Sequence, residues 1–168
     1  IVGKGLKDYE GDIAKGKLVY QAALCSSCHR MRGEGAGIGH DLTQLHTRYK
    51  RNEIIAAIFS PNDEISDQYA FTLFHMQDGK RVAGKVLSED DDKVVIAPNV
   101  YSSAYTVELA KSEIVKQELS PISPMPSNLL NRLNEEEITD LFAYLLSGGD
   151  EEHHYYGGTK GLEEEKGK

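Results

Sequence analysis

The sequence predicts a mainly α-helical chain interrupted by a small antiparallel β-sheet, α+β overall. Three observations carry that prediction. Helix signals stand near both ends of the ordered part, from Asp12 onward and again from Asn134 to Leu146. Between them, over residues 66–119, the pattern changes to short runs rich in β-branched and aromatic residues, separated by turns. Within the first helical part stands Cys25-Ser26-Ser27-Cys28-His29, which sets two thiols and an imidazole on one short turn.

Local signals place each element in order. Residues 1–11 read as an extended lead-in. Asp12 is a good N-cap, and the helix it starts is expected to run through Ile13, Leu18, Val19, Ala22 and Ala23 into the cysteines. Gly16 inside that helix costs about 1 kcal/mol relative to Ala, and a glycine tolerated there marks close approach of another helix. The plainer alternative is a helix that starts near Lys17. From Met31 to Leu42, glycines at positions 33, 35, 37 and 39 make a loop that can lie flat against a ring edge. A phosphate cradle would need a strand–loop–helix frame and a following Lys-Ser/Thr, which this stretch lacks. Residues 52–59 read as a short helix capped by Asn52 and stopped at Ser60-Pro61.

Five strands are expected over residues 69–76, 81–87, 93–97, 105–109 and 114–119, with Asp78-Gly79 as the first hairpin turn. Pro121, Pro124 and Pro126 then stiffen an extended segment. Asn134 and Glu137 form a capping box, and the helix that follows sets Ile138, Leu141, Phe142 and Leu145 on one face before Gly148-Gly149 ends it. The tail is charged and Gly-rich, with His153-His154-Tyr155-Tyr156 as its expected anchor and His153 and His154 as a secondary metal candidate.

The chemistry lies in the cysteine motif. Two thiols one helical turn apart reach the two vinyl groups on one edge of a porphyrin, and the next side chain falls beneath the ring, where its imidazole can bind iron. Competing readings fit less well. A structural zinc needs four ligands, and the chain holds only two cysteines. A thioredoxin-like pair needs a preceding strand, where a helix is expected. A disulfide leaves His29 without a role. The expected cofactor is therefore one haem c, attached through Cys25 and Cys28 with His29 on the iron. For the opposite axial position the residues offer Met31, Met76, Met125, His40, His46, His75, His153 and His154. Met31 is too close to His29 to pass around a ring, and His75 and Met76 fall where a sheet edge is expected. Met125 stands between two prolines, whose fixed φ angles can present a sulfur rigidly; packing on a core edge is the alternative. Arg48 and Tyr49 are candidates to hold propionates, because Arg suits carboxylates bidentately; a plain surface Arg is the alternative.

Composition bounds the partners. At 168 residues the chain makes one domain or one small domain with an insertion, and its net charge of −8 argues against nucleic acid. The acidity suits a partner with a basic docking face, although it also serves solubility. No stretch has the length of a transmembrane helix.

On the helix with Gly16 and Tyr20, the Cys25-x-x-Cys28-His29 motif, the glycine loop ending in Asp41-Leu42-Thr43, the Met125 loop and the closing Asp140-Leu141-Phe142-Ala143-Tyr144-Leu145, the chain resembles class I c-type cytochromes over residues 12–147. It is more similar to a planctomycete-type haem-binding domain with a β insertion between the CxxCH site and the axial Met. The resemblance implies a mainly α cytochrome c fold with an inserted small antiparallel sheet. Residues 1–65 would carry the attachment site, 66–119 the insertion, 120–147 the Met loop and last helix, and 148–168 the tail. It implies His29 and Met125 as the axial pair, which raises the potential relative to two histidines. It also implies first and last helices crossing at Gly16, with Tyr20 and Leu141 or Tyr144 packed there. One departure stands out. Such proteins carry a proline where His40 stands, and its carbonyl accepts a hydrogen bond from the axial histidine. The backbone carbonyl of His40 could do the same, while its side chain reaches a propionate or is exposed.

The expected function is a monohaem carrier of single electrons rather than an enzyme. Haem attachment in bacteria requires export, so a periplasmic or equivalent compartment is expected, after removal of a signal peptide. Redox proteins are the expected partners, with self-association through the sheet or the tail left open. Two rival readings remain: an electron-transfer subunit of a larger oxidoreductase complex, and a haem-based small-ligand sensor whose sixth position is open.

Overall fold

The computed structural model describes residues 11–99 and 105–153. The expected lead-in over residues 1–10 and the tail beyond His153, with His154, Tyr155 and Tyr156, lie outside the described residues. The described chain has four α-helices and a five-stranded sheet, mixed α and β. It divides into two compact units: Ile1–Ala56 with Asn128–Lys168, and Ala57–Ser127.

In the first unit, α1 spans Ile13–Ala22, and the side chain of its N-cap Asp12 accepts a hydrogen bond from the Lys15 N–H. The Asp12 N–H in turn donates to Asp140 Oδ1 at 2.7 Å, which sets a carboxylate at the positive end of the helix. The helix does not continue into the cysteines. It ends at Ala22, Leu24 takes a left-handed conformation at φ 62°, and Cys25–Ser27 form a separate 3₁₀ turn. The glycine loop is not all loop either. β1 (Arg30–Met31) pairs antiparallel with β2 (Glu34–Gly35) across a tight turn, in which Arg32 and Gly33 have φ of 49° and 83°. A four-residue helix, α2 (Leu45–Arg48), follows; it is too short to leave a periodic signal.

α3 spans Arg51–Phe59, so Asn52 lies within it and is not its cap. The start is held instead by Glu53, whose carboxylate accepts the Lys50 N–H at 2.6 Å. α4 spans Glu135–Leu146 and begins with both halves of a capping box between Asn134 and Glu137. It ends where Gly148 and Gly149, at φ 62° and 72°, donate to the carbonyls of Leu145 and Tyr144.

α1 crosses α4 at Gly16. A Cβ there would overlap the Asp140 carbonyl oxygen and lie 2.8 Å from Tyr144 Cβ. That approach lets Tyr20 and Tyr144 meet with ring centroids 5.3 Å apart, over a core that includes Ile13, Ile138, Leu141 and Phe142. The Arg51 guanidinium caps the Phe142 ring at 5.9 Å.

The second unit holds β3 (Thr72–Met76), β4 (Arg81–Glu89), β5 (Lys93–Ala97), β6 (Val107–Ala110) and β7 (Ile114–Leu119), in the order β6-β5-β4-β3-β7. β3 is therefore an interior strand, flanked by β4 and β7, and not the expected edge. The two edge strands are consecutive in sequence and joined only by the 3₁₀ turn Lys111–Glu113. Four residue steps reach at most about 14 Å, whereas the edges of a flat five-stranded sheet stand about 19 Å apart. The sheet must curl. It turns its corner at Gly84, before which β4 pairs with β3 and after which it pairs with β5. A Cβ on Gly84 would come within 2.9 Å of the Ala97 carbonyl oxygen. The curl encloses Phe74, Val94, Ile96 and Leu109, a core of this unit's own.

Candidate haem-attachment site

The Cys25–His29 segment is a turn stitched to the glycine loop by main-chain bonds. Cys28 and His29 both donate to the Cys25 carbonyl, at 3.1 and 2.8 Å. Ala36 donates to the Ser26 carbonyl at 3.0 Å, while Ile38 and Gly39 both donate to that of Cys28. Leu42 donates to the Arg30 carbonyl at 2.8 Å. Two glycines are there because the loop lies so close. A Cβ on Gly35 would overlap the His29 carbonyl oxygen, and one on Gly39 would sit 2.8 Å from His29 Cε1.

His29 is held at two points. Its Nδ1 lies 2.8 Å from the His40 carbonyl oxygen. A carbonyl only accepts, so Nδ1 carries the proton and Nε2 keeps its lone pair. Burial holds the imidazole below its ordinary pKa, against the opposing pull of the His40 carbonyl, which keeps it in the neutral form that binds metals. The second hold is Tyr20, whose hydroxyl donates to the His29 carbonyl at 3.0 Å. Burial pushes that phenol far up, so it remains a donor. Tyr20 was legible in the sequence only as a packing residue; nothing local announces its bond to His29.

Cys25 and Cys28 are half-buried free thiols with no disulfide between them. Burial, with Cys28 adding to it, pushes the Cys25 thiol up to about 11. Leu24, beside Cys25, is 65% exposed, and Ile38, whose N–H bonds to Cys28, is 37% exposed. Two thiols, a neutral imidazole with a free lone pair and adjoining apolar surface form a donor set that fits a covalently held porphyrin.

Arg48 is exposed at the end of α2. It helps hold the His40 imidazole below its ordinary range, after burial and His29. Met31 is buried beside Gly149, and the ring of His46 faces that of His153. His75 Nε2 lies 2.8 Å from Glu118 in the sheet. Met125 belongs to the second unit, half-buried, with its N–H donating to Ser123 Oγ at 3.1 Å.

A family model described as Cytochrome c matches residues 13–97, half of the chain. The chain belongs to the cytochrome c family. No curated protein matches it. The family binds covalently attached haem c and uses it for electron transfer, which points to redox partners and to a carrier rather than a catalyst. Cytochrome c domains are typically extracytoplasmic. In this cytochrome the matched span takes in α1, the cysteine motif, the glycine loop and the sheet as far as β5, and ends before Met125. No helix among the described residues is long and apolar enough to cross a membrane.

Proposed function

We propose that this cytochrome carries single electrons through one haem c between redox proteins outside the cytoplasm, in a periplasmic or equivalent compartment. Cys25 and Cys28 would hold the porphyrin by thioether bonds, and His29 Nε2 and Met125 Sδ would bind its iron. When bound, the haem supplies the one-electron ferric–ferrous couple. The observation that carries the reading is the His29 Nδ1 contact with the His40 carbonyl at 2.8 Å. It turns Nε2 into the free donor, and it does so from the position where the resemblance places a proline. A backbone carbonyl keeps this role whatever its side chain.

The remaining parts follow. The Tyr20 hydroxyl and the main-chain stitches of the glycine loop pre-orient the motif, so little rearranges between oxidation states. Arg48 is suited to a propionate. Residues 66–119, which carry the sheet, are read as an insertion between the attachment site and Met125, as in planctomycete-type domains. No side chain acts as acid, base or nucleophile in this role. An acidic chain of net charge −8 favours partners with a basic docking face.

Spectra of the matured protein test this. The parent is expected to show a pyridine haemochrome of one c-type haem per chain, and a mass equal to polypeptide plus haem. In Met125→Ala the signature of Met ligation should disappear from the oxidised spectrum while haem content stays the same. A bare polypeptide sinks the proposal entirely; an unchanged spectrum in Met125→Ala removes Met125 from it.

A further inference from the structure

We propose that His46 and His153 form a site for a divalent transition-metal ion of the zinc, nickel or copper type, apart from the haem-attachment residues. The two residues are far apart in sequence, on α2 and in the turn after α4, yet their rings meet edge to face with centroids 6.2 Å apart. An imidazole nitrogen binds zinc at about 2.1 Å, so a ring centroid stands about 3.2 Å from the ion and two rings on one tetrahedral ion about 5.2 Å apart. The observed separation is about 1 Å wider than that, so both rings would turn their nitrogens inward to share an ion, with water completing the shell.

The His46 ring and the His153 main chain are each held by their surroundings. The His46 ring lies against Gly148, where a Cβ would come within 3.1 Å of Cε1 and 3.2 Å of Nδ1. His153 is held by a turn in which its N–H donates to the Asp150 carbonyl at 3.1 Å. The electrostatics suit a cation: the carbonyl end of α4 points this way, and Asp150, Glu151 and Glu152 form the turn itself. No group of three or more His, Cys, Asp or Glu among the described residues is set to hold a metal. The site is therefore a two-histidine one, of modest affinity and suited to imidazole-preferring ions. A bound ion would pin the segment after α4 to α2.

The test is calorimetric titration of the haem-loaded, full-length protein with zinc chloride in chelator-free buffer. One ion should bind per chain. His46→Gln and His153→Gln should each weaken binding by at least about tenfold, with far-UV circular dichroism unchanged. His75→Gln, in the other unit, should bind as the parent does. Absence of saturable binding, or full binding in His46→Gln, overturns the proposal and leaves an aromatic edge contact only.

Discussion

Gly16→Ala separates local preference from tertiary contact, because the two predict opposite signs. Within α1, alanine is favoured over glycine by about 1 kcal/mol, so an isolated or loosely packed helix should become more stable. The crossing reverses this. The new Cβ would overlap the Asp140 carbonyl oxygen and lie 2.8 Å from Tyr144 Cβ, and the first of these is main chain that cannot swing aside. α4 must then retreat from α1. Overpacking of this kind costs about 1–3 kcal/mol, and withdrawing an interface by 0.5–1 Å forfeits about a quarter to a half of each contact it held. The contacts at stake include the buried Tyr20–Tyr144 pair and Ile13. The expected net effect is a destabilisation of about 1–3 kcal/mol. Urea unfolding of the haem-loaded protein, followed by far-UV circular dichroism, measures it. Ala14→Gly, at an exposed position two residues away, supplies the propensity scale and should cost about 1 kcal/mol. A Gly16→Ala protein as stable as the parent, or more so, would refute the close crossing.

Two further outcomes follow from single contacts. Tyr20→Phe keeps the ring on Tyr144 but deletes the donor to the His29 carbonyl; it should cost about 1 kcal/mol in urea unfolding, and an unchanged midpoint would mean the bond is not made in solution. Glu118 is held below the ordinary carboxylate range by Lys116 and then by His75, so its contribution is present above its unfolded pKa and fades as pH falls through the depressed folded value. Glu118→Gln should therefore be less stable than the parent near neutrality, with the gap closing below about pH 4; a gap that widens in acid would contradict the assignment.

Much of the fold is legible in residues a few positions apart. The Asp12 cap, the Asn134–Glu137 box, the Asp78-Gly79 turn and the Gly148-Gly149 stop each depend on bonds within about one turn, which a linear reading can enumerate. The misjudged details share a different cause. Asn52 is as good a cap as Asp12 by residue type, but Glu53 reaches back to Lys50 and starts the helix earlier. The strands were legible, while the interior place of β3 was not, because neighbours in a sheet are chosen by chain closure rather than by composition. At the site, Cys25, Cys28 and His29 announce themselves by spacing alone, whereas Tyr20 gives no sign that its hydroxyl serves His29.

The sequence by itself determined which chemistry the chain can hold: two thiols and an imidazole on one turn, followed by glycines that let the backbone close over them. Tertiary structure decided how that chemistry is poised, fixing contacts that the resemblance had offered only as options and adding the Tyr20 bond, which nothing in the sequence announced. It brought the His40 carbonyl to Nδ1, the Tyr20 hydroxyl to the His29 carbonyl and the Asp140 main chain against Gly16. The physical reason is range. Covalent spacing and turn preference act over a few residues, whereas the contacts of His29 span 9 and 11 residues through the closure of its loop, and the contact at Gly16 depends on two helices more than a hundred residues apart in the chain.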